Sequence, residues 1–403
     1  MLRFELKKVF CKFKNRMAVV LLLLILAAVS MLTMNRVEYV DSEGNHISGM
    51  MGARSLRAEK QKWKGEITED VLEAVVRENE VINSSPEALS DDISEQNKAY
   101  ARKQGISDIA KLINNAFSAW RDYDYFAVDH VSQEEAKSVY ERRVSNLKQY
   151  LDSGEETFTD AQKDYLIKQY ENLQTPFYYD YTDGWSALLQ NISTFILVLA
   201  LIIGFLVSGI FSSEFQTKAD AIFFSARLGR NRAVLSKMGA GFLITTFFYF
   251  VFVLLYTAVV LAALGADGAN CPIQMDMWRC VYNITFLQAY LLIVAGGYVG
   301  TLFAATLSML ASALTRSTAT AIIVPFIVLC AFPFLSRVIT LPGICSFFPD
   351  QLLEIYITLK DFVLVEWCGR IVNVIGILIP AYALACLLLE PILYRIYKKA
   401  QVS

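Results

Sequence analysis

The sequence predicts an all-α polytopic membrane protein: six transmembrane helices plus a helical extracellular domain. Three observations predict it. The 403 residues are 55% hydrophobic with a mean hydropathy of +0.39, yet 19% are charged, a mixture that suits neither a single soluble core nor a bare bundle. Uncharged apolar runs long enough to cross a bilayer, about 18 residues or more, occur once near the start and five times in the second half. The stretch between them differs in charge from everything else. Residues 35–190 hold 18 Lys and Arg against 29 Asp and Glu, net −11, which leaves net +9 for the rest.

In chain order, residues 1–16 read as a cytoplasmic amphipathic helix in the membrane interface. Leu2, Leu6, Val9, Phe10 and Phe13 follow helical spacing with Arg3, Lys7, Lys12 and Lys14 beside the stripe. Residues 17–34 form the first transmembrane helix. A cleaved signal peptide competes for this segment, because a basic start and the small residues Ala27, Ala28 and Ser30 fit one too; the apolar run exceeds the usual signal core.

Residues 35–190 form the acidic domain. Ile109, Leu112, Ile113, Ala116, Phe117 and Trp120 recur at helical spacing, and Ser132 with Glu135 and Thr159 with Gln162 have the form of capping boxes. The domain has no cysteine and no alternating strand pattern. His46 and His130 lack ligand spacing, so they read as surface side chains and no metal is expected. Phe177, Tyr178, Tyr179, Tyr181 and Trp185 read as an aromatic belt at the membrane interface.

Residues 191–397 form a five-helix region, with spans at Ile192–Phe211, Met238–Leu264, Ile284–Leu314, Ser317–Phe334 and Ile371–Leu389. A cytoplasmic loop at 212–237 joins the first two, and 398–403 is a cytoplasmic tail. Basic residues gather before the first span, between the second and third, at Arg316 and after the last span. The positive-inside rule therefore puts both termini in the cytoplasm and residues 35–190 outside the cell membrane.

Several chemistries are excluded. There is no P-loop, no His-Glu-x-x-His and no Gly-x-Ser-x-Gly, so the chain reads as neither an enzyme nor a nucleotide binder in its own right. An acidic outer domain does not suit nucleic acid; it suits a cationic ligand, or simply solvent. The spans carry no charge apart from Glu390 at the cytoplasmic end of the last and Arg316 at a loop edge, which argues against ion coupling through midplane groups. Energy for transport would enter from outside the bilayer.

The segment 211–237 offers a place for it to enter. Ala221, Ile222, Phe224 and Ser225 give a short helix a weakly apolar side, set between Glu214, Lys218 and Asp220 before it and Arg227, Gly229, Arg230, Arg232 and Lys237 after it. Such a helix can seat in a groove of a soluble ATPase and pass on its motion, or the loop can simply bind lipid headgroups.

Glu214, the short helix, Ser225, the Gly229-Arg230 pair and Lys237 leading into the next span resemble the cytoplasmic loop of ABC-2 type ABC transporter permeases. One span, a large outer domain and five close spans are similar to a subset of bacterial members. Members often carry Gly-Thr where this chain has Lys218-Ala219. The resemblance implies a permease subunit of an exporter, a homodimer or heterodimer of permeases, and a separate ABC ATP-binding subunit that holds the ATP and Mg. This chain would then bind no cofactor of its own. It also implies that Glu214, Lys218, Asp220, Arg227, Arg230, Arg232 and Lys237 couple to that subunit. The charge-free spans favour an amphipathic substrate such as a peptide or antimicrobial, a lipid or a drug. A non-transporting surface receptor or secretion scaffold has the same span layout.

Two features concern packing. Gly296, Gly300, Ala304, Ser308 and Ser312 recur every four residues, a stripe that admits another helix closely, within the chain or across a dimer. Cys271 and Cys280 share one outer loop and Cys345 and Cys368 another, so each pair reads as a possible disulfide or as free thiols.

Overall fold

The computed structural model describes residues 1–226, 229–332, 345–361, 363–367 and 370–400. Sixteen helices dominate those residues. They run α1 (Leu2–Cys11), α2 (Phe13–Met34), α3 (Gly49–Lys60), α4 (Glu69–Asn83), α5 (Ile93–Lys103), α6 (Ser107–Phe117), α7 (Gln133–Ala136), α8 (Val139–Asp152), α9 (Asp160–Glu171), α10 (Asp183–Gln216), α11 (Asp220–Ser225), α12 (Arg232–Leu264), α13 (Phe286–Thr315), α14 (Thr318–Phe326), α15 (Ile355–Lys360) and α16 (Val374–Lys398). Five of them, α2, α10, α12, α13 and α16, are long and apolar enough to cross a membrane.

The fifth expected span, Ser317–Phe334, is different. Its described part is α14 followed by a π-helical turn at Ile327–Ala331, an apolar helix shorter than 18 residues. Pro325 lies inside α14 and has no N–H to give to the preceding turn.

The long helices also outrun their apolar cores. α10 begins at Asp183 and α12 at Arg232, so the connection between them is 217–231, shorter than the loop read as 212–237. α2 starts at Phe13, so residues 13–16 belong to it and not to the interfacial helix, which is α1 alone. Apolarity reports the hydrocarbon-facing length, whereas the helix continues wherever its backbone bonds are made.

The bundle has two ends. α1, the last turn of α16 and the 217–231 connection meet at one, the loop end: Phe10 stacks on Phe248 at 5.8 Å, and Tyr397 packs on Phe211 at 4.8 Å and Phe224 at 5.3 Å. The polar domain caps the other. Its two expected capping boxes are both formed. It also contains two short antiparallel pairs, β1 (Glu38–Val40) with β2 (His46–Ser48) and β3 (Gly65–Glu66) with β4 (Tyr178–Tyr179). These are too short for an alternating pattern to reveal.

The expected aromatic belt is instead the core of the junction between domain and bundle. Phe177, Tyr179, Tyr181 and Trp185 are buried, and of the five only Tyr178 is exposed.

The small-residue stripe on α13 is used inside the chain. Added side chains on Gly296 would overlap Ile355, and Gly300 lies against Leu352 and Leu353. Residues 345–360 are thus drawn against α13 roughly 15–20 Å below its polar-domain end, at 1.5 Å of rise per residue. Irregular backbone at that depth is tolerated where protein covers it. Further along, Ser308 donates to the Ala321 carbonyl at 2.7 Å, Ser312 donates to Ser208, and Ala304 is fully buried. β5 (Leu364–Trp367) and β6 (Arg370–Asn373) then return the chain to the polar domain, where Thr159 donates to Glu366 at 3.2 Å.

Candidate functional site

The loop end holds a closed ring of four charges. Lys237 lies in the first turns of α12, is fully buried, and directs all three ammonium donors to acceptors: Glu214 Oε1 at 2.7 Å, Glu5 Oε2 at 3.1 Å and the Ile210 carbonyl at 2.7 Å. Lys8 closes the ring with bonds to Glu214 at 2.9 Å and Glu5 at 3.2 Å. Two carboxylates and two ammonium groups balance, which is what makes a buried set of charges tenable. Burial works against the charge on Lys8, but the Glu214 and Glu5 carboxylates outweigh it and hold its pKa above the ordinary lysine value.

The ring ties α1 to α10 and α12. Asn15 braces the corner between α1 and α2 by donating to the Val9 carbonyl at 2.9 Å.

Above the ring, α10 ends in a Schellman cap. Ala219 N–H bonds the Glu214 carbonyl at 2.9 Å and Lys218 N–H bonds that of Phe215 at 3.2 Å. The cap puts Lys218 at φ 55, the left-handed region that glycine favours. The backbone shape that a glycine would supply is present with a lysine.

α11 then divides its apolar residues between two faces. Phe224 turns inward onto Phe215 and Tyr397, whereas Ile222 is 77% exposed. Ala221, Ser225 and Lys218 share that exposed side, and Arg232 is exposed beyond it. Gly229 lies against the Phe223 carbonyl with no room for a Cβ.

The seven residues read as coupling groups therefore separate. Glu214 and Lys237 are joined to each other inside the bundle, and Asp220 is buried too. Arg230 donates to the Lys398 and Ala400 carbonyls at 2.8 and 3.2 Å and covers Phe224, so it fastens the end of α16. Only Lys218 and Arg232 present charge to solvent; Arg227 lies outside the described residues. Glu5 and Tyr397 were missed. Glu5 is the single acid in an otherwise basic first helix, a signal that was available.

A second buried cluster fixes the polar domain to the opposite end. Lys60, at the end of α3, bonds Asp108 at 2.9 Å and Asp183 at 2.7 Å, and Tyr179 donates to Asp108 at 2.9 Å. Burial opposes the charge on Lys60, but the two aspartates hold its pKa above the ordinary lysine value. Arg57 pairs with Asp267 at 2.7 Å and Lys64 with Asp180 at 2.7 Å beside it. A polar cavity of about 440 Å³ opens next to Lys60.

Cys271 and Cys280 are buried free thiols, so the first expected disulfide is absent. Burial pushes their pKa values up to about 12 and about 11, which leaves little thiolate at neutral pH. Cys368 lies outside the described residues, and the second pair with it. We expect both Cys271 and Cys280 to be alkylated when the protein is denatured without reductant, as read by peptide mass spectrometry. A linked 271–280 peptide would contradict the structure. Among the described residues there is no group of His, Cys, Asp and Glu that could hold a metal ion.

Comparison with protein-family models, with curated proteins and with solved structures finds no match to this chain.

Proposed function

We propose that the chain is the permease subunit of an ATP-driven exporter of the ABC-2 type, moving an amphipathic substrate with ATP hydrolysed on a separate ATP-binding subunit. In this reading it works as a dimer of permeases in the cell membrane, with the loop end cytoplasmic and residues 35–190 outside. It binds lipid and no nucleic acid, has no catalytic site, and leaves ATP and Mg to the partner.

The observation that carries the proposal is the build of the 217–231 connection. Its outer side offers an exposed isoleucine at Ile222, flanked by Lys218 and Arg232. Its inner side packs on α10, α12 and α16, with Phe224 on Phe215 and Tyr397 and the Lys237 ammonium over Phe223, and the charge ring beneath ties α10 and α12 to α1. A force on Ile222 would reach four helices with little slack, which suits a rigid push better than a loop lying on headgroups.

The experiment places a photo-crosslinking amino acid at Ile222 or at Phe224 in native membranes. We expect position 222 to capture a polypeptide that is itself labelled by azido-ATP, and position 224 to capture none. Ile222→Asp should weaken that association by about tenfold or more, the scale of a central apolar anchor. Crosslinks from 222 to lipid alone would favour the headgroup reading.

A further inference from the structure

From the shape and charge of one groove we infer that the bundle carries a binding site for a hydrophobic cation, with Glu390 as its counter-charge. The groove has a volume of about 590 Å³ and lies between α12, α13 and α16, with walls that include Leu235, Phe242, Leu302, Thr306 and Leu387. A mostly apolar cleft of a few hundred cubic ångströms with few polar groups is the usual form of a small-molecule site.

Three polar features converge on it. Glu390 is the only charged side chain between Val374 and Tyr394, and it has no ion-pair partner among the described residues. Thr306 is fully buried in the wall, and its hydroxyl has no hydrogen-bond partner among the described residues. Pro391 follows Glu390 and has no N–H, so the Leu387 carbonyl four residues earlier loses its usual helical donor. A carboxylate, a carbonyl and a hydroxyl oxygen beside apolar walls match one class of ligand, a cation whose charge is surrounded by hydrocarbon. An intramembrane acid without a partner otherwise carries a cost with no return.

The groove lies toward the loop end, since Leu235 is three residues into α12 and Glu390 is two turns before the end of α16. An exporter would load its substrate from that side. As a substrate site the groove rests on the function proposed above; as a binding site it does not.

The test uses the full chain in lipid nanodiscs without any ATPase, with radiolabelled tetraphenylphosphonium as probe. Saturable binding is expected, at least about tenfold weaker in Glu390→Gln, as for loss of a charged partner. It should also be weakened by Leu387→Trp, a change at an exposed rim position that leaves the bundle packed. Tetraphenylborate, of the same shape and opposite charge, should not compete. Equal binding by wild type and both variants, or equal competition by the borate, would overturn the site. So would oxidative dimerisation of Leu387→Cys, which would show a second copy covering the groove. Binding retained while Ile222 captures no ATP-binding chain would remove the exporter and keep the site.

Discussion

Lys237→Met should be the most damaging single substitution at the loop end. It removes the ammonium that holds Glu214, Glu5 and the Ile210 carbonyl, and leaves two buried carboxylates facing the single charge of Lys8. Breaking a buried ion pair from one side costs on the order of 3–5 kcal/mol. Glu214 is 5% exposed, so water offers little relief. Unfolding in detergent micelles should show this loss. The double variant Glu214→Gln with Lys237→Met should recover part of it, because Glu5 and Lys8 then remain as a matched pair. Additive losses in the double-mutant cycle would mean that the ring is not a coupled unit.

Lys60→Met should be the counterpart at the other end. Asp108 and Asp183 would face each other without the ammonium between them, at a cost again of about 3 kcal/mol. The consequence is local: α3, which carries Arg57, and the following Lys64 should detach from the starts and ends of the spans before the bundle itself unfolds. Hydrogen exchange over residues 49–64 reads this directly. Burial raises the pKa of Asp108, but Lys60 and Tyr179 outweigh burial and hold it below the ordinary value. The contribution of Asp108 to docking should therefore be intact at neutral pH and be lost as pH falls below the ordinary carboxylate range. Wild-type protection of 49–64 in Lys60→Met would show that the cluster contributes little.

Much of the architecture was legible because it depends on local spacing. The capping boxes at Ser132 and Thr159 need residues three apart, and four of the five spans after residue 190 follow from their own apolar runs. What was not legible depends on partners far away in sequence. Glu214 meets Lys8 across 206 residues and Lys237 meets Glu5 across 232, so a charge read as facing a second protein proved to face its own chain. The aromatic run at 177–185 has the composition of a membrane belt, and composition does not separate a headgroup zone from a buried joint. Residues 345–360 read as part of an outer loop between two spans, yet Asp350 is buried beside α13. The glycines at 296 and 300 marked a close approach without naming which segment makes it.

The site was half legible. Ile222 and Phe224 were assigned to one weakly apolar side, and the structure sends one outward and the other inward. Residues two apart on a helix lie about 200° apart, so the division itself was available from spacing; which of the two faces inward was not, because that depends on how α11 leaves α10 after the cap at Lys218.

Purification of the unmodified chain from its native membranes, followed by an ATPase assay, tests the central claim most directly. The account predicts a stoichiometric second polypeptide that binds ATP, vanadate-sensitive hydrolysis, and loss of both with Ile222→Asp while the chain itself remains folded. A chain that purifies without an ATP-binding partner and hydrolyses no ATP under conditions that preserve other membrane complexes would contradict it.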